Sequence, residues 1–372
     1  MLTVPAGGAL HRPAGLPATS PRVSVVVPCY QYGKFLGGCV AGALDQPGLD
    51  VEVIVVDDCS PDGSGDVARR LQDGDSRVSV VQHDRNLGHI RTYNDGLARA
   101  TGDYVALVSA DDILTPGSLS RAVALMEAHP NVGMVYGRGV PFWGEQPRVR
   151  ADVKLWITWR GDAWLAERFR QARNCVYSPE VVLRADVQRA IGDYRADLPH
   201  SGDFFTWMKA ALLADVGYVA GCDQALYRQH GANMQASRFE VGTLDGWLTD
   251  MVERRRALDL LAAEGHRDGS LTDQQAASLL RSSSRALAAE AIDLAARLYV
   301  WRMVDSDLER RLVAFAEELD PQLHDAPAWR RLAERQALPA WASRCHPRHK
   351  AHDLTLKARH RLRDERLRWV GV

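Results

Sequence analysis

Two pairs of adjacent carboxylates, each placed just after an apolar run, are the residues of this chain best suited to chemistry. The first pair, Asp57-Asp58, follows Val51-Glu-Val-Ile-Val-Val56 and leads into Cys59-Ser-Pro-Asp-Gly-Ser64. A carboxylate at a strand end can accept hydrogen bonds from a nucleobase edge or a ribose, and Ser60 or Asp62 can equally cap the helix that follows. The second pair, Asp111-Asp112, follows Tyr104-Val-Ala-Leu-Val108 and Ser109-Ala110. Adjacent acids beyond a buried strand are costly unless solvated, paired or bound to a cation. A divalent ion bridging a diphosphate is one use of such a pair, because hard oxygen ligands and substrate phosphates complete its shell. The other is a helix start, with Asp112 or Thr115 as the cap and Pro116 at the first helical position. A third cluster is the Asn86-Leu-Gly88 turn followed by Arg91, Asn94 and Gly96. Arg91 can reach a phosphate or stay solvated on its helix.

The elements that must position these residues are legible as five apolar runs: 23–27, 51–56, 78–81, 104–108 and 132–136. They are apolar throughout rather than alternating, which suggests strands covered on both faces. Helical stretches lie between them over 35–45, 65–73, 90–100 and 118–129. Strands alternating with helices of this length predict an α/β fold with a mostly parallel sheet flanked by helices. In such sheets ligands sit beyond the carboxyl ends of the strands, where Pro28-Cys-Tyr30, Asp57-Asp58 and Asp111-Asp112 fall.

Residues 1–21, rich in Pro, Gly and Ala, read as a flexible lead-in. Residues 22–240 read as the α/β domain, with a helix near 204–214. Residues 241–372 read as a helical C-terminal region, with helical periodicity over 251–264, 273–301 and 306–319. The chain's 372 residues suit two domains or one large domain with an appendage. A net charge of −1 selects neither nucleic acid nor membrane. Six cysteines form no CxxC pair and no zinc-finger spacing, which suits a reducing compartment. With no signal-like start and no apolar run of transmembrane length, the expected location is cytoplasmic. The basic stretch between Pro347 and Trp369 interleaves Arg, Lys and His with leucines. Such a helix can lie peripherally on the anionic inner face of a membrane, or pack as a solvated helix on the domain.

Taken in order, Val23-Ser-Val-Val-Val-Pro-Cys-Tyr30, Val55-Val-Asp-Asp-Cys-Ser-Pro-Asp-Gly-Ser64, Asn86-Leu-Gly88 and Gly102-Asp-Tyr-Val-Ala-Leu-Val-Ser-Ala-Asp-Asp-Ile-Leu114 resemble the family 2 glycosyltransferases from about residue 22 to 140. The resemblance implies the GT-A fold, a nucleoside-diphosphate-sugar donor, Mn²⁺ or Mg²⁺, and inversion at the anomeric carbon. It implies that Pro28 and Tyr30 line the nucleotide pocket and that Asp57, with Asp58 close behind, takes the base, which favours a UDP- or TDP-sugar. Asp111 would be the metal ligand, supported by Asp112. The family usually reads Asp-X-Asp-Asp here, but this chain reads Ser109-Ala110-Asp111-Asp112, and Ser109 offers a ribose hydroxyl a hydrogen bond without a charge.

The segments Asn174 to Arg184, Ile191-Gly-Asp-Tyr194, Gly202-Asp-Phe-Phe-Thr-Trp-Met-Lys209 and Tyr227-Arg-Gln-His-Gly-Ala-Asn-Met234 resemble the acceptor half of that family more weakly. Asp203 matches its general base, although Gly202 stands where the family commonly has Glu. His230 matches a histidine near the metal, and Arg228 would neutralise diphosphate. Asp203 can also be a helix cap, and His230 a structural residue. Trp143, Trp156, Trp159 and Trp164 either border the acceptor or fill the core. The acceptor itself is not legible.

A non-catalytic nucleotide-sugar binder is the alternative that Ser109 motivates. A dinucleotide-binding Rossmann enzyme would need Gly-x-Gly-x-x-Gly after the first strand, and Pro28-Cys-Tyr-Gln-Tyr-Gly33 is not that turn. A sugar nucleotidyltransferase would need a glycine- and Lys/Arg-rich N-terminal loop, which this chain lacks.

Overall fold

The computed structural model describes residues 7–231, 233, 244–301 and 306–338, with short pieces between 346 and 371. Contacts divide the chain into two compact units. The first comprises residues 1–165, 174–230 and 367–372, and the second 166–173 and 231–366. The boundary expected near residue 240 lies outside the described residues.

Each long apolar run becomes a strand because helices cover both its faces. β2 (Arg22–Cys29), β3 (Asp50–Asp57), β4 (Val78–Gln82) and β5 (Tyr104–Leu107) form a parallel set in the order β4-β3-β2-β5. Val23, Val25, Val27, Val53 and Val55 point to one face. There they meet residues of α1 (Gly33–Leu44), α2 (Ser64–Gly74) and α4 (Ser118–Ala128). Val26, Ile54 and Val56 point to the other, against α3 (His89–Leu97). Alternate residues therefore serve opposite layers, and both layers demand apolar side chains.

Beyond β5 the sheet becomes mixed. β9 (Val182–Arg184) pairs antiparallel with both β5 and β7 (Val132–Phe142). β10 (Asp215–Arg228) runs parallel to β7, while β8 (Leu155–Trp159) runs antiparallel to β10. The short β6 (Ile113–Leu114) leaves the acidic motif and pairs with Ala225 and Leu226 of β10. Three further helices belong to this part of the chain: α5 (Gly161–Gln171), α6 (Ala185–Ile191) and α7 (Gly202–Leu213).

The expected flexible lead-in needs correction. Gly8–His11 forms β1, an edge strand antiparallel to β8. Its backbone completes the ladder of β8, and His11 Nε2 lies 2.8 Å from Thr158 Oγ1. Trp156, Trp159 and Trp164 are buried, whereas Trp143 is 71% exposed.

The second unit holds α8 (Leu244–Arg267), α9 (Asp273–Trp301), α10 (Ser306–Leu319) and α11 (Pro327–Gln336). Buried Arg254 of α8 pairs with Asp250 at 2.8 Å and with Glu290 of α9 at 3.2 Å. Among the described residues no helix is long and apolar enough to cross a membrane. Most of the basic stretch 347–369 lies outside the described residues.

Gly96 sets how closely α3 approaches the sheet. A Cβ there would lie 2.3 Å from Val26 Cγ1 and 3.1 Å from Val56 Cγ2. Alanine would gain about 1 kcal/mol of helix propensity, but overpacking costs about 1–3 kcal/mol. Gly96→Ala is therefore expected to lower the urea midpoint of unfolding, and an unchanged or higher midpoint would contradict this packing.

Candidate active site

The strand ends of the parallel set meet at one edge. Ala110 N donates to Pro28 O at 3.2 Å and Val108 N to Val26 O at 2.9 Å, so the backbone of the acidic motif follows the exit of β2. On the other side Cys29 pairs in register with Asp57, and Asp58 N donates to Cys29 O at 2.9 Å. The turns beyond are stitched together: Gln31 N donates to Ser60 Oγ, and Gly33 N to Ser64 Oγ. Gln31 and Cys59 adopt the left-handed region, with φ of 61° and 56°. Non-glycine residues there are uncommon and cluster at functional turns. Tyr30 stands at this edge, 41% exposed.

Asp57 and Asp58 have different surroundings. Asp57 is fully buried. Its Oδ2 accepts long hydrogen bonds from Ser60 N (3.3 Å) and Gln82 Nε2 (3.4 Å), while its Oδ1 has no partner. A buried carboxylate oxygen without a donor is costly, and such atoms mark places where a ligand fits. Asp58 is also buried but satisfied. Its Oδ1 lies 2.8 Å from His83 Nδ1 and accepts from Leu87 N at 2.7 Å, and its Oδ2 accepts from Gly88 N at 2.9 Å. Asp58 thus fastens the Asn86-Leu-Gly88 turn, from which α3 springs.

Arg91, read from the sequence as a phosphate contact or a solvated helix residue, is 65% exposed and pairs with Asp95 one turn along its own helix, at 3.0 Å. Pairing at i,i+4 is the local use of a guanidinium on a solvated helix face.

The acidic motif is closed by the end of β10. Arg228 N donates to Asp112 Oδ1 and Arg228 Nε to Asp111 O, both at 2.9 Å. The Arg228 guanidinium lies between Phe35 (4.5 Å) and Phe142 (4.6 Å), which hold its charge in place. His230 Nε2 lies 3.1 Å from Asp111 Oδ2, and its ring contacts those of Tyr32 and Phe35. Burial, then the neighbouring Asp111 carboxylate, push Asp112 well above the usual carboxylate range. The backbone of Ser109 accepts from Asp112 N at 2.9 Å, and Ala110 is buried beneath.

The expected metal set Asp111, Asp112 and His230 is thus only partly assembled. Asp111 and His230 meet, whereas Asp112 is directed to the Arg228 backbone. Among the described residues no group of three or more His, Cys, Asp or Glu side chains could hold a metal ion.

Asp203 lies in the first turn of α7. Desolvation pushes its pKa up to about 6, opposed by a hydrogen bond from the Tyr194 hydroxyl. Tyr93 of α3 is raised by burial, then by the negative charges of Asp203 and Asp111, with Asp112 contributing further. The charges of these carboxyls therefore act on one phenol. Sequence reasoning singled out Arg91, Asn94 and Gly96 of α3 but not Tyr93; Arg91 turns outward, while Asn94 bonds the Tyr194 backbone and Tyr93 packs on the Tyr194 ring. The available signal for Tyr93 was its i,i+3 spacing from Gly96, which puts both on one face of α3.

Residues 24–190 match the family model described as Glycosyl transferase family 2. An uncharacterized glycosyltransferase of Nostoc sp. is 29% identical over 170 residues, covering 43% of this chain and 52% of that protein. The match therefore spans about half the length of that relative. In structure, TarS 1–349 of S. aureus in complex with UDP-GlcNAc is similar with a TM-score of 0.56. The identity is 17%, and 85% of this chain and 91% of that one are covered. The mannosyltransferase PcManGT of Pyrobaculum calidifontis, in complex with GDP-Man and Mn²⁺, gives a TM-score of 0.50 at 20% identity, covering 92% and 85%. These neighbours share the mixed sheet flanked by helices, and with the family match they establish the GT-A fold. Over residues 24–190, somewhat less than half of the chain, this protein is similar to the family 2 glycosyltransferases.

Proposed function

We propose that this protein is an inverting glycosyltransferase that moves a sugar from a nucleoside-diphosphate sugar to an acceptor hydroxyl or amine. The observation that carries this reading is the unpartnered, buried Asp57 Oδ1 at a strand end neighbouring the Asp111-Asp112 motif that Arg228 and His230 close. The donor's base sits against Asp57, whose free oxygen accepts the ring N–H of uracil or thymine, and Pro28 and Tyr30 line that pocket. TarS, whose structure contains UDP-GlcNAc, supports a uridine donor, while PcManGT with GDP-Man keeps a guanine donor as the competitor to be tested. Ser109 offers the ribose a hydroxyl, and Ala110 leaves room beside it.

The diphosphate lies between the acidic motif and Arg228, whose guanidinium offsets its charge. Asp111 and His230 would hold Mn²⁺ or Mg²⁺, and the donor set fits: a carboxylate oxygen and an imidazole nitrogen 3.1 Å apart, beside a second buried acid. Such an ion is bound mainly through one or two protein ligands plus the substrate's own phosphates, and it supplies positive charge at the leaving diphosphate. Asp112 holds the end of β10 to this motif rather than ligating.

Asp203 removes the acceptor's proton as the acceptor oxygen or nitrogen bonds to the anomeric carbon. The bond from that carbon to the diphosphate oxygen breaks on the opposite side, the nucleoside diphosphate departs with the electron pair, and the configuration inverts. A base with a pKa near 6 is ionised at neutral pH yet still takes up a proton readily.

Two outcomes are expected. Thermal denaturation with UDP, TDP, GDP and CMP, each with and without Mn²⁺, should give a metal-dependent rise in Tm with UDP or TDP. Asp57→Ala should weaken that binding by about 1.5–3 kcal/mol, roughly 10–100-fold in Kd. No rise with any nucleotide would overturn the donor site. Asp203→Asn should lower transfer by about 10²–10⁴-fold while leaving the nucleotide-induced Tm rise intact. In the wild type the deprotonated base is fully present above its pKa, so kcat/KM should fall roughly tenfold per unit as pH drops below about 6. Full transfer by Asp203→Asn would remove it as the base and favour a non-catalytic role for its carboxylate.

A further inference from the structure

Asp203 sits on α7, but what reaches its carboxylate comes from elsewhere. Between α6 and α7 the chain runs through residues 192–201 without a helix or strand. Two ties from α3 fix this segment. The Asn94 side chain brackets the Tyr194 backbone: Asn94 Nδ2 donates to Tyr194 O at 3.0 Å, and Tyr194 N donates to Asn94 Oδ1 at 2.8 Å. One planar amide thereby satisfies both polar groups of one residue, as a neighbouring strand would. Five residues further on, His89 Nε2 lies 3.1 Å from Pro199 O. A carbonyl only accepts, so this nitrogen carries the hydrogen.

The Tyr194 side chain is held as firmly. It is buried, and its ring meets that of Tyr93 edge-on at 5.4 Å and 86°. Gly202 leaves room for it, since a Cβ there would lie 3.3 Å from Tyr194 Cδ1. The Tyr194 ring thus stands against the first turn of α7, where its hydroxyl lowers the pKa of Asp203 and the Thr206 hydroxyl lowers that of Tyr194, each against the upward push of burial. Thr206 is itself buried.

We propose that Tyr194 is the positioning residue of the Asp203 carboxylate, and that α3 locks it there through Asn94. The proposal rests on the reading of Asp203 as the base. One carboxylate oxygen takes the Tyr194 hydrogen, which fixes the rotation of the group and leaves the other oxygen for the acceptor's proton. Thr206 orients the phenolic hydrogen, because its own hydroxyl occupies a lone pair of the Tyr194 oxygen. Asn94 acts one step further back and touches neither carboxylate nor substrate. The same helix begins at the turn held by Asp58, so the donor pocket and the base are joined through α3.

The test uses the full chain and two readouts. Difference infrared titration of the carboxyl band, each protein against the same protein carrying Asp203→Asn, follows Asp203 without substrate. Transfer or hydrolysis of UDP-GlcNAc and of GDP-mannose gives kcat and KM. The other titratable groups facing Asp203 are Tyr194 and Tyr93, which stay protonated across the range scanned. Tyr194→Phe keeps the ring and removes the hydroxyl. It should move the Asp203 midpoint upward and lower kcat by up to about 100-fold, with KM for the donor and the UDP-induced Tm rise unchanged. Asn94→Ala and Thr206→Val should move the midpoint the same way by less, and they stand in if Tyr194→Phe does not fold. An Asp203 midpoint unmoved in every folded variant would overturn the positioning role, whatever Asp203 does. A moved midpoint together with full activity in Asp203→Asn would instead overturn the base, and the positioning role with it.

Discussion

A carboxylate with no water around it must find its donors inside the protein, and Asp58 finds three. His83, Leu87 and Gly88 all converge on its two oxygens. Two of the three are backbone amides of the turn that opens α3, so satisfying the charge fixes the turn, and the turn fixes where the helix begins. Hydrogen bonds to charged groups are stronger than neutral ones, and removing the acceptor would leave Gly88 N only its longer bond to Asn86 Oδ1. From that start α3 lies flat on β2 and β3, where Gly96 allows the contact, and presents Tyr93 and Asn94 toward the second half of the domain. A residue that resembles part of a base-binding pair therefore also works as an anchor for distant parts of the site.

The acidic motif obeys the same rule with a different solution. Asp111 and Asp112 are adjacent and buried, so their mutual repulsion adds to the cost of desolvation. The fold offsets part of that cost from one place, the end of β10. There the Arg228 backbone meets Asp112, its side chain meets the Asp111 carbonyl, and His230 meets the Asp111 carboxylate. β6 pairs with β10 immediately after the motif, so the strand that supplies the counter-charge is also the strand that registers the loop. The substitution of Ser109 for an acid lowers the charge this arrangement has to compensate.

Much of this was legible in the sequence where burial on two faces leaves a continuous apolar signal. Four of the five runs and the helices between them appear within about three residues of their expected bounds, while the fifth continues to Phe142. What escaped are elements whose signal is not apolar. β1 forms from Gly8–His11 because β8 offers an open edge, which no local pattern in a Pro- and Gly-rich segment announces. β9 slips between β5 and β7 with three residues, too few for periodicity. Side-chain partners were harder still. Arg91 and Asn94 of α3 both drew attention, yet Arg91 turns outward to Asp95, whereas Asn94 brackets the Tyr194 backbone. Charge is visible in a sequence, but the direction a side chain points on a short helix is settled by what packs against it.

The carboxyls around Tyr93 are chemically alike, and their surroundings give them different uses. Asp203 is desolvated without a second carboxylate beside it in the chain, and Tyr194 feeds a hydrogen bond to its charged form. Burial and hydrogen bonding pull in opposite directions and leave it near 6, where a proton can be both accepted and released. Asp112 is desolvated next to Asp111, so burial and repulsion add instead of opposing. A pair in that condition is relieved by positive charge rather than by a proton acceptor's work, and the nearest positive charge is Arg228, held between two phenylalanine rings. Under the proposed function a leaving diphosphate would bring more negative charge to the same place, where Arg228 on β10 would meet it while Asp203 on α7 would take the proton. The division of labour follows from which neighbours each carboxyl was given.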